Sequence, residues 1–272
     1  MYCSDEDTAF ARTSIFGKIF DRHQLTEFVK ELSLFIMNPK GTLYLIPTPL
    51  GEQAGQTIPV YVIAVLHRLE VFIAERAKTA RHFIKTTQPT KPFSALTFYE
   101  LNKRTTPAER ARFLDDAMNG KDVGLLSEAG CPGVADPGAA IVAMAHQKGI
   151  KVMPLVGPSS ILLALMGSGM NGQGFSFHGY LSPKRPLLAK DLKRLERLSI
   201  QNRQTQIFIE TPYRNTGLVE EAFKTLAPST RFCIAADLTT PDEYIQTHTI
   251  KTWKQLKLPE LHKRPAIFLL SQ

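Results

Sequence analysis

Cysteine is scarce in this chain of 272 residues, and the three present, Cys3, Cys131 and Cys233, lie far apart with no C-x-x-C pair. That spacing argues against a disulfide framework and a structural zinc site. It fits a reducing compartment, so a cytoplasmic location is expected. A long unbroken apolar run is missing too. The most apolar stretch, Val152 to Met170, is interrupted by Pro154, Gly157, Pro158, Gly167 and Gly169. No membrane span or membrane partner is expected from it. At the N-terminus, Asp5, Glu6 and Asp7 stand where a basic region would precede a signal peptide. The signatures G-x-x-x-x-G-K-[ST], H-E-x-x-H and G-x-S-x-G are absent, and the histidines are scattered without ligand spacing. The sequence therefore demands no metal. Gly167-Ser-Gly-Met-Asn-Gly172 spells G-x-G-x-x-G, but a helical pattern precedes it and a strand pattern follows. The dinucleotide fingerprint needs the opposite order.

Negative charge is the minority: 33 Lys and Arg stand against 25 Asp and Glu, a net charge of +8 and a pI of about 9.4. This favours acidic or phosphate-bearing partners such as RNA, without bearing on the fold. The densest basic run holds Lys184, Arg185, Lys190, Lys193, Arg194, Arg197 and Arg203. Such a run is usually a solvated helix face; with the overall charge, phosphate contact becomes credible.

The stretch Leu125 to Gly138 is the most informative. An apolar run, Val123–Leu126, reads as a buried parallel strand. Asp136-Pro137 reads as an N-cap followed by proline at the first helical position, opening a helix to Gln147. Between them lies a loop of small residues, Gly130, Pro132, Gly133 and Ala135, which would let a ligand approach the backbone. Ligands of open α/β sheets bind beyond the carboxyl ends of the strands, where this loop would sit. An ordinary βα connection is the competing explanation.

Residues 1–40 stand apart, with Leu25, Phe28, Val29 and Leu32 at helical spacing. We expect a helical N-terminal extension there, or a natural start at Met37. From Gly41 strands and helices alternate. Strands are expected at Thr42–Ile46, Val71–Ala74, Ser94–Tyr99, Asp122–Ser127 and Ile150–Leu155. Helices are expected near Val60–Leu66 and from Pro107 to Gly120. After Val156, Gly157 or a serine caps a helix started by Pro158. The rest reads as α+β with some antiparallel pairing. The alternation implies a largely parallel sheet covered by helices. Glu75, Glu128 and Glu210 each fall at or just beyond a strand end, where a carboxylate could hold a hydroxyl or accept its proton. Helix capping or ion pairing would place them there equally well.

Three segments together resemble the tetrapyrrole methylase superfamily of S-adenosylmethionine-dependent methyltransferases. They are Gly41-Thr-Leu-Tyr-Leu-Ile-Pro-Thr-Pro-Leu-Gly51, Ser127-Glu-Ala-Gly-Cys-Pro-Gly-Val-Ala-Asp-Pro-Gly138, and Pro154-Leu-Val-Gly-Pro-Ser-Ser160 continuing to His178–Lys184. Phe208-Ile-Glu-Thr-Pro-Tyr-Arg214 matches a fourth motif more loosely. Within the superfamily the likeness is greatest to the branch that methylates ribose 2′-hydroxyls of small-subunit ribosomal RNA. It implies two α/β domains, 41–155 and 156–272, with the methyl donor in the cleft between them, and a homodimer. Donor contacts would come from Pro49, Gly51, Gly130, Cys131, Pro132, Val134, Ala135, Ser159, Ser160, Glu210 and Ala266. Glu75 and Glu128 would orient or deprotonate the acceptor. Lys184, Arg185 and Arg214 would contact phosphate. The RNA methylases' acidic-acidic-Thr-Arg motif reads Glu75-Arg76-Ala77-Lys78 here, and their His-Glu-His-Asn reads Tyr99-Glu100-Leu101-Asn102. Two further readings remain: a methylase of a corrinoid precursor or other small molecule, and a non-catalytic RNA-binding protein.

Overall fold

The computed structural model describes residues 39–272 and, in helical conformation, Glu27. The rest of the expected N-terminal extension, with Met37, lies outside the described residues.

Among the described residues, ten strands form two five-stranded sheets. The first contains β1 (Thr42–Ile46), β2 (Val71–Ala74), β3 (Thr97–Glu100), β4 (Val123–Leu126) and β5 (Lys151–Pro154) in the order β3-β2-β4-β1-β5. Every pairing in it is parallel. The central strands β2 and β4 are buried at all four positions, so both read as unbroken apolar runs. Side chains alternate between two cores. Leu43, Ile73, Val123 and Leu125 pack with Phe113, Leu114, Ile141 and Ala145 on one face. Tyr44, Ile46, Phe72 and Leu126 pack with Val62, Leu66, Phe83 and Ile84 on the other.

The second sheet contains β6 (Phe175–Tyr180), β7 (Thr205–Ile209), β8 (Arg231–Ala236), β9 (Tyr244–Thr249) and β10 (Ala266–Ser271), in the order β6-β7-β10-β8-β9. β6 and β7 are parallel; the other pairs are antiparallel. The helices Arg185–Asn202 and Asn215–Thr225 cover one face, where the lone Trp253 is buried and donates its indole N–H to the Phe232 carbonyl at 2.7 Å. The apolar helix Ser160–Ser168 covers the other.

Three local expectations are corrected. The helix after the small-residue loop starts at Ala139, not Pro137. Asp136 spends its carboxylate on the Gly133 and Gly138 amides, holding residues 131–138 in turns. Pro158 does not start the next helix: Ser159 is its N-cap, accepting from the Leu162 amide, and Ser160 its first residue. The helix expected from Pro107 is two short ones, Pro107–Arg112 and Asp115–Met118. The helix Ala77–Thr86 was not expected at all. The segment 167–172 follows a helix and precedes β6, as its rejection as a dinucleotide loop requires.

Candidate functional site

The loops after β1, β2, β4 and β5 leave the same end of the parallel sheet. There they face β6, β7, β8 and the start of β10 across a cavity of about 340 Å³. That lies within the range of about 300–1,000 Å³ usual for small-molecule sites. Two loops are joined edge to edge. Thr48 and Gly130 exchange both backbone hydrogen bonds, each at 3.0 Å. Beneath them Ser127 Oγ donates to the Gly130 carbonyl at 2.6 Å and lies 3.2 Å from Thr48 Oγ1. Gly130 has φ +77°, and a Cβ there would press on Leu50 and the Pro158 carbonyl at 3.1 and 3.3 Å. Glycine thus serves both the left-handed backbone and the close approach. Cys131 Sγ donates to the Pro158 carbonyl at 3.4 Å, tying in the β5 loop. Burial raises the Cys131 pKa, the opposite of the lowering that activates a thiolate nucleophile.

From the second sheet, Phe177 and Tyr180 both line the cavity. Three residues apart on a regular strand, they would face opposite ways. A register shift between them, with Gly179 at φ +66°, turns both to one side.

The structure brings together Glu75, Glu128, Gly130, Cys131, Val134, Ala135, Ser159, Ser160, Glu210 and Ala266, all on the cavity wall. Pro49 and Pro132 lie in the same loops behind it, half-buried and buried. Gly51 faces the second half of the chain, where an added Cβ would come within 2.7 Å of Thr240. Lys184 and Arg185 are exposed at the start of a helix outside the cavity, with Arg185 3.3 Å from Glu220. Arg214 is occupied by Glu210. Sequence reasoning missed Asp136, Phe177, Tyr180, Asp237 and Leu238 as wall residues.

Among the described residues the wall carries five carboxylates, Glu75, Glu128, Asp136, Glu210 and Asp237, and no lysine, arginine or histidine, in a chain of net charge +8. Arg214 and Arg264 neutralise Glu210 and Asp237 from outside. Glu75 and Glu128 have no hydrogen bond or ion pair among the described residues. Asp136 has only backbone partners. Burial raises its pKa; the Gly138 and Gly133 amides oppose the shift. Apolar Leu50, Ile161, Ile209 and Leu238 complete the wall. A small organic cation suits this lining. A lysine 4 Å from such a cation would instead cost about 4 kcal/mol at an effective dielectric constant of 20.

A family model described as Tetrapyrrole (Corrin/Porphyrin) Methylases matches residues 42–253. The chain belongs to the tetrapyrrole methylases. It is an S-adenosylmethionine-dependent methyltransferase. Among curated proteins, this methylase is similar to two called Ribosomal RNA small subunit methyltransferase I. It is 29% identical to that of Vibrio cholerae over 78% of this chain and 69% of the relative. It is also 29% identical to that of Haemophilus influenzae over 81% of this chain and 74% of the relative. Among solved structures the fold is similar to the methyltransferase CobJ, with TM-score 0.57 at 20% identity over 85% of this chain and 94% of that one. It is also similar to uroporphyrin-III C-methyl transferase from Thermus thermophilus complexed with S-adenyl homocysteine. That match has TM-score 0.50 at 16% identity over 85% of this chain and 98% of that one.

Proposed function

We propose that this methylase binds S-adenosylmethionine in the cavity between the two sheets and transfers its methyl group to a ribose 2′-hydroxyl of small-subunit ribosomal RNA. The observation that carries the donor site is the cation-free, carboxylate-bearing wall. The donor, when bound, supplies an electrophilic methyl on a positively charged sulfur. The backbone-linked loops at Thr48 and Gly130 would hold it, and the wall carboxylates would favour its charge. Ser159 and Ser160 bring the N-terminus of a nine-residue helix to the wall, the favourable end for the donor's carboxylate. Alignment of nucleophile and methyl carbon at ~3–3.5 Å is the main demand of such a displacement. Glu75 and Glu128, with no partner among the described residues, are assigned to orient the acceptor hydroxyl and take its proton. The RNA acceptor rests on the curated relatives and the chain's positive charge.

We retain 41–155 and 156–272 as the two domains, and place the enzyme in the cytoplasm as a homodimer. The dimer is supported by an exposed apolar patch: Val60 and Val156 are 85% and 68% exposed. Tyr61 accepts from the Val156 amide at 2.9 Å, bringing the first of these beside the second. No helix among the described residues is long and apolar enough to cross a membrane, and no His, Cys, Asp or Glu group among them is arranged for a metal.

The test is to map ribose methylation in ribosomal RNA from cells lacking the protein, then restore wild type or Glu75→Gln. A missing 2′-O-methyl returned by wild type alone supports the assignment. An unchanged methylation map refutes the RNA acceptor and favours a small-molecule one.

A further inference from the structure

The long basic helix, residues 185–202, contributes no residue to the cavity wall, so its charges stand away from the acceptor. Arg185 and Arg194 are engaged by Glu220 and Asp191, each at 3.3 Å. A different group of cations stands at the cavity rim. Leu101 donates its amide to the Ala74 carbonyl at 2.8 Å, and Glu100 Oε1 accepts from the Ala77 amide at 2.9 Å. These two bonds lay the turn 101–105 alongside the segment 75–78. The turn is held by its own bonds: Asn102 Oδ1 accepts from the Arg104 amide and Thr105 Oγ1 donates to the Glu100 carbonyl, both at 2.9 Å. Arg76, Lys78, Lys103 and Arg104 are all exposed, and none has an ion pair among the described residues. Between this group and the cavity lies Glu75, which lines the wall.

We propose that Arg76, Lys78, Lys103 and Arg104 form the RNA-phosphate clamp of this enzyme, flanking the acceptor nucleotide at Glu75. The proposal rests on the RNA reading above. A ribose presented to Glu75 carries a phosphate on either side, and those phosphates meet the rim where four unneutralised cations stand. Pairing with phosphate releases counterions, so each contact contributes to affinity and to its salt dependence. The surrounding turn is fixed through backbone and small polar groups, so the cationic side chains are free to serve a ligand.

The experiment compares a Lys103→Ala, Arg104→Ala double variant with a Lys190→Ala, Lys193→Ala variant of the basic helix. Affinity for transcribed small-subunit ribosomal RNA is measured by fluorescence anisotropy across a salt series. S-adenosylhomocysteine binding, by calorimetry, reports that each variant is folded. The rim variant should lose roughly ten-fold in RNA affinity at low salt, and its logarithmic salt slope should shrink by about one to two. Its nucleoside affinity and the helix variant's RNA affinity should match wild type. Full RNA affinity in the rim variant, or loss only in the helix variant, overturns the clamp alone. A wild-type protein that ignores RNA at every salt concentration overturns the RNA reading as well.

Discussion

The guanidinium of Arg214 closes on the carboxylate of Glu210, with Nε and Nη2 at 2.9 and 2.5 Å from Oε1. Glu210 is only 2% exposed at its side chain and Arg214 42%. Arg214 is thus committed to holding a wall residue. Arg214→Ala should destabilise the protein by about 1–3 kcal/mol, because a buried carboxylate loses its charged partner. Urea unfolding measures this, and Glu210→Gln combined with Arg214→Ala should recover most of the loss. RNA affinity at constant fold should change little.

A positive charge placed on the cavity wall tests the sulfonium argument directly. Val134 is half exposed there, so Val134→Arg is sterically tolerable. It should weaken S-adenosylmethionine at least ten-fold, and the uncharged-sulfur product S-adenosylhomocysteine distinctly less. Calorimetry with both compounds reads the difference. Equal weakening would mean that bulk, not charge, governs the site.

Asp136 makes the site's stability sensitive to acid in a definite direction. Its pKa is raised by burial, against the pull of the Gly138 and Gly133 amides. The folded chain therefore keeps this proton at a pH where the unfolded chain has released it. Its stabilising contribution is complete below the ordinary carboxyl pKa and is lost as pH rises through the raised value. Asp136→Asn preserves an Oδ1 acceptor for both amides and removes the titration. Wild type should lose stability relative to this variant as pH climbs through the carboxylate range, and hold a constant difference thereafter. Denaturant midpoints across that range check it. Asp136→Ala, which removes the acceptor, should be about 0.5–2 kcal/mol less stable than Asp136→Asn at every pH.

Val156→Glu places a charge in the exposed apolar patch. Light scattering should show the wild-type dimer replaced by monomer, with an unfolding midpoint close to that of the isolated fold. A wild-type protein that is monomeric throughout removes the dimer proposal.

The strands were legible because parallel strands buried on both faces spell themselves as apolar runs, as Val71–Ala74 and Val123–Leu126 do. The helix Ala77–Thr86 was not. Two of its four buried positions are alanine, and its exposed face is Arg81, His82 and Lys85, so the pattern reads as a polar linker. Helix starts misled where side chains act backwards. Asp136 looks like a simple cap, yet its carboxylate also reaches the earlier Gly133 amide and delays the helix. Wall residues near each other in sequence, such as Gly130 to Ala135, were found. Phe177 and Tyr180 were hidden because the bulge that unites them breaks the two-residue period. Asp237 was hidden because its partner, Arg264, is 27 residues away. The rim cations are hidden behind the denser run at 184–203, since spacing along a chain cannot show which charges stand beside the cavity.

The reciprocal bonds between Thr48 and Gly130 couple two connections about eighty residues apart into one panel. Neither connection can lengthen, shorten or swing away without dragging the other. A change in either connection therefore shifts the wall residues that both supply.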